Sequence, residues 1–216
     1  MPDTQIAPDA FGRRARTHDR LEAEGTFYPP GLMLLPGEAE VRLPAADAIV
    51  LRALALVLVG CEATGLTETT VDSLIDLYRP SFSAAEWRWF ESPARDPDET
   101  RNFGWGFEAA LPLLWSTGLA EELKRPDAQT EPFAILQRLV HYRRDELLAR
   151  AALRSAGEIL DAADLNFCRE CASRLALNEG QPPPAGLDGG VLLERHRAFT
   201  WLIEGGRAWD DVVARA

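Results

Sequence analysis

"AIVLRALALVLVG", residues 48–60, is the most apolar run in the chain, and whether it spans a bilayer or fills a core decides the fold. It contains Arg52 and falls short of the roughly 20 apolar residues that a membrane span needs. The run therefore belongs to a buried core helix, placed at about 46–63 after Pro44. A helix that is apolar on nearly every side must be enclosed by other elements.

Working outward, those other elements are helices. Residues 10–24 form a charged, weakly apolar segment expected to lie exposed or at the periphery, and Gly25 ends it. The Pro- and Gly-rich stretch 26–44 is a long connection, although its "LMLLP" has to be buried somewhere. A helix at 68–79 stops at Pro80. "SAAE" (83–86) is a capping box that opens a short helix carrying Trp87, Trp89 and Phe90. One helix is expected over about 98–117, with a kink or early break at Pro112. Helices near 131–140 and 143–152 follow. "SAGE" (155–158) is a second capping box, opening a helix to about 178. The last helix covers about 189–204, with a short C-terminal one after it. No alternating strand pattern and no repeat interrupts this order. The fold class is all-α: a bundle-like array of about eight to ten helices, with residues 1–12 a flexible tail and 13–216 one domain.

The composition agrees. The 216 residues are 46% hydrophobic and 26% charged, ordinary for a soluble globular chain. A net charge of -11 opposes nucleic acid and anionic membrane, since affinity for phosphates comes from Lys and Arg. The same charge suits a basic protein partner. The opening residues lack a secretory pattern, and three cysteines make no disulfide framework, so a cytoplasmic location is expected.

Few motifs carry chemistry. "CREC" (168–171) lies inside a helix and has no second cysteine pair, so buried inert thiols are expected, with no metal and no cofactor. Walker, dinucleotide-binding, zinc-protease and nucleophile-elbow motifs are missing from the sequence. Helical phase sets Asp164 on an apolar face with Leu160, Phe167, Cys171 and Leu175, and a buried acid must be paired or protonated. Arg154, Arg195 and His196 are its expected partners. His196 shares a face with Leu192, Phe199 and Ile203, while Glu194, Arg197 and Trp201 lie opposite, as a salt bridge with an arginine stacked on tryptophan. The helix between these faces is expected to be sandwiched. Asp210 and Asp211 suit the N-cap and first turn of the last short helix. Trp105, Glu108 and Trp115 fall together on one face, a carboxylate between aromatics.

These motifs in order, "RRAR…L…EG", "ALALVLVGCEATGL", "FGWGFEAALPLLWSTG", "LRSAGEILDAADL" and "ERHRAFTWLIEGGRAWDDV", resemble a bacterial family known as domain of unknown function 4272, over about residues 13–212. Arg154, Ser155, Glu158, Asp161 and Asp164 match one specific block. Glu194, Arg195, His196, Trp201, Trp209 and Asp210 match another, and Trp105, Glu108 and Trp115 match the middle one. Cys171 stands where the family pattern leads us to expect tryptophan, and the chain ends in "VVARA" rather than an acidic, threonine-containing tail. The resemblance implies a fold and brings no reaction. The favoured function is protein binding, for instance as an immunity-type protein masking a toxin, with a buried polar network of Asp164 and its partners. The alternative is a hydrolase or other enzyme using Asp164, Glu194 and His196 in one cleft.

Overall fold

The structure is a computed structural model that describes residues 7–66, 69–140 and 142–212, with residues 69–72 and 137–140 described by their backbone alone. The helices are α1 Pro8–Ala23, α2 Ala46–Thr64, α3 Thr69–Tyr78, α4 Ala84–Glu91, α5 Pro97–Gly104, α6 Gly106–Ser116, α7 Pro132–Val140, α8 Arg144–Arg150, α9 Ala156–Asn178 and α10 Gly189–Ile203. No strand occurs among the described residues. The all-α expectation holds, and no described helix is long and apolar enough to cross a membrane.

α2 is the hub. It packs against α6, α5 and α3, while α10 lies between α6 and α9. Residues 49–50 and 52–61 of α2 are all buried, as a run apolar on every side requires. The α2–α6 crossing is set by two glycines. A Cβ at Gly106 would collide with the Leu56 carbonyl oxygen, and one at Gly60 would press on the Phe107 ring. Both capping boxes form: Ser83 accepts from the Glu86 amide, and Ser155 from the Glu158 amide, each at 3.2 Å.

Two expectations need correction. The helix placed over 98–117 breaks at Gly104–Trp105–Gly106, and Pro112 lies inside α6, which runs on to Ser116. The close α2 contact needs the glycine at 106, the first residue of α6. α1 begins at Pro8, inside the expected tail; residues 1–6 of that tail lie outside the described residues. α1 is peripheral, as expected, but one of its faces is covered. Ala10, Arg13, Thr17 and Leu21 are buried against α9, where Leu21 joins Phe167, Cys168 and Cys171 in a small second core. "LMLLP" is only half covered: Leu32 and Leu35 pack on the two cores, and Met33 is 72% exposed.

Candidate functional site

Most of the polar residues singled out by sequence are distributed among separate helix interfaces. Between α1 and α9, Asp164 takes the Arg14 guanidinium edge-on, with Nε at 3.1 and 3.2 Å and Nη2 at 2.7 Å. Arg14 also donates to the carbonyls of Leu32 and Met33. Between α9 and α10, the His196 Nδ1 meets Glu170, and the Phe167 ring lies edge-on at 5.4 Å. Between α10 and α6, Arg195 donates twice to Glu108 at 3.2 and 3.3 Å and once to the Lys124 carbonyl at 2.6 Å. The other Glu108 oxygen accepts the Thr130 amide. A fourth buried pair, Arg52 with Glu86, joins α2 to α4.

The expected network of Asp164 with Arg154, Arg195 or His196 is therefore replaced by separate pairs. Asp164 faces α1, and the arginines that α1 buries are what its weak apolar stripe conceals. Arg154 is occupied elsewhere: it donates to the Trp115 and Glu121 carbonyls, stacks on Trp115 at 4.7 Å and reaches Glu158 at 3.4 Å. Asp161 is half-exposed and bonds Arg16 at 2.6 Å.

Glu194 has a different environment. It lines a cleft of about 170 Å³ with Glu86, Asn102, Arg197, Trp209 and Asp210 over an apolar floor that includes Leu56 and Val59. Burial pushes its carboxyl up to about 7, against the pull of the Arg197 guanidinium and helped by the Glu108 charge. Arg197 stacks on Trp209 at 4.6 Å, rather than on Trp201 as the helical spacing predicted. Trp201 is buried and gives its indole N–H to the Arg207 carbonyl. Asp210 caps a helix, but the helix is α4: its Oδ2 accepts the Ala85 amide at 2.9 Å. The expected short C-terminal helix is the 3₁₀ turn Trp209–Asp211. Of the three candidates for acid–base work, Asp164 and His196 do not line this cleft.

Trp105 and Glu108 line a separate groove of about 390 Å³ beside Thr130. Trp105 packs where α10 begins, against Gly190, while Trp115 sits with Arg154. Trp105 and Glu108 thus share a groove, and Trp115 stands apart from them. Among the described residues no three His, Cys, Asp or Glu side chains converge as metal ligands. Cys168 and Cys171 are buried, and burial pushes their thiols up to about 12 and 11.

The family model for domain of unknown function DUF4272 matches residues 13–212. The chain belongs to the DUF4272 family. No curated protein and no solved structure gives a match. The two specific DUF4272 blocks thus sit on α9 and its N-terminal approach and on α10 with the 3₁₀ turn after it, and Asp161, Asp164, Arg195 and His196 in them meet charges on neighbouring helices. Sequence reasoning passed over Arg14, Arg52, Glu86 and Glu170, the partners that complete these pairs. Arg52 alone gave a signal, as a charge inside an apolar run that had to find an acid.

Proposed function

We propose that this DUF4272 protein works by binding a protein partner and that its signature acids and bases have an architectural role. The observation that carries this is that Asp164 meets Arg14 and His196 meets Glu170 at separate helix interfaces, so the two do not converge with Glu194 on one cleft. A hydrolase using Asp164, Glu194 and His196 together loses its support, because Glu194 lies in a cleft that the other two do not line. The net charge of -11 favours a basic partner, as an immunity-type protein masking a toxin would have. The contact surface is assigned to α1 and the segment after it, where Phe27 and Met33 are 81% and 72% exposed.

The test is a purified pair. A basic protein captured from the host by the immobilised chain is re-purified, and its affinity is measured by calorimetry. Binding should weaken at least about tenfold between low salt and about 0.5 M salt. The double substitution F27A/M33A should weaken it by a similar factor without changing the melting temperature. Binding indifferent to both salt and the double substitution would sink the proposal.

A further inference from the structure

The segment that leaves α1 folds back beside it. Gly25 adopts φ +67°, and the Gly25 and Thr26 amides donate to the Glu22 and Leu21 carbonyls at 3.0 and 2.8 Å, so the helix closes in a Schellman turn. The reversal sets Phe27 and Tyr28 beside His18 and Glu22, which are four apart and share one face of α1. These four side chains line a pocket of about 420 Å³, a size within the range of specific ligand sites. The His18 and Tyr28 rings meet edge to face, with centroids 6.0 Å apart and planes at 76°. Phe27 is left largely to solvent.

The lining decides what kind of group enters. Glu22 is its one carboxylate, and among the described residues no lysine or arginine lines it. That carboxylate is exposed and has no hydrogen-bond or ion-pair partner among the described residues, whereas Glu24 is held by Arg20 and Arg169. Arg14 comes within 6.0 Å of the Tyr28 ring centroid, but Asp164 meets its charge. An anion would therefore face a carboxylate with no cation to hold it. A cation gains twice, since aromatic faces attract positive charge and Glu22 supplies the opposite one. Of the two cationic side chains, arginine fits better. Its guanidinium is flat and weakly hydrated, so it can lie on a ring while two of its N–H groups meet a carboxylate. The lysine ammonium is a compact, strongly hydrated point charge. We propose that this pocket takes an arginine side chain of the basic partner, an inference that rests on the protein-binding reading above and names the residue the partner inserts.

The full chain, labelled with ¹⁵N, is titrated at constant ionic strength with N-acetyl-arginine amide and with its lysine and citrulline counterparts, while the Gly25 and Tyr28 amide signals are followed by NMR. Citrulline keeps the shape of arginine without its charge. The arginine compound should shift both signals saturably, with the lysine compound at least about threefold weaker and the citrulline compound at least about tenfold weaker. E22Q removes an exposed, unpaired charge, so the fold survives, and it should weaken the arginine compound by about fivefold. F27L removes a ring that is largely in solvent and should weaken it by about two- to fivefold. The proposal falls if the arginine compound gives no saturable shift up to about 50 mM, if either counterpart binds as tightly, or if E22Q leaves the affinity unchanged. A captured basic protein that obeys both salt and F27A/M33A while the arginine compound fails overturns the pocket and spares the protein-binding reading. Arginine binding that survives the failure of that reading overturns the partner and leaves a site for a small guanidinium compound.

Discussion

Glu194 is a carboxyl held where its charge is poorly solvated, and stability should register that. In the unfolded chain it ionises near its ordinary 4.5; in the folded chain it keeps its proton to about 7. Between those values the folded state binds more protons, so this contribution to stability is full below the lower value, falls as pH rises, and levels off above about 7. The fall is on the order of 3 kcal/mol at most. E194Q should flatten it, matching the parent near pH 4.5 and exceeding it by on the order of 2 kcal/mol at pH 8, measured by urea unfolding. The cysteines give a second residue-scale expectation. Burial raises Cys61 and Cys168 to about 12 and Cys171 to about 11, so at pH 8 none should react with an aromatic disulfide until the protein unfolds. Thiol kinetics across a denaturant series check this. The inertness of the "CREC" pair was legible from its position inside a helix. The isolation of Glu194 was not, because phase gave only its direction and the cleft walls come from α4 and α5.

Between elements, the recurring device is the buried ion pair, and α1 depends on it most. Its face toward α9 is held by Arg14 on Asp164 and by Arg169 reaching back to Glu24 at 3.2 Å through Nε. D164A leaves a guanidinium buried without its acid, a loss of about 3–5 kcal/mol in comparable pairs. α1 should then peel away: its amides lose hydrogen-exchange protection while those of α2 and α6 keep theirs. The double substitution R14M/D164L should recover most of the loss. Helix limits were readable here from local signals, as the two capping boxes demonstrate. Pairing was not, since phase shows that Asp164 is buried but the choice between Arg14, Arg154 and Arg195 depends on how helices far apart in sequence are arranged.

For the molecule as a whole, everything is arranged around the contact of α2 with α6. The apolar run of α2 made a central helix legible, while the break at Trp105 was hidden because the need for a small residue at 106 arises only from the approaching Leu56 carbonyl. A backbone atom cannot rotate out of the way, so G106A should destabilise the fold by at least about 2 kcal/mol, read as a lower urea midpoint with an unchanged slope. The Arg14–Asp164 pair also bears on how the chain is made. Its members are 150 positions apart. On the ribosome, α1 emerges well before α9, and the Arg14 guanidinium must remain hydrated while the residues between them are added, at about 5–20 residues per second. α1 thus waits for its partner helix, and for on the order of ten seconds at that rate its side chains are open to whatever meets them.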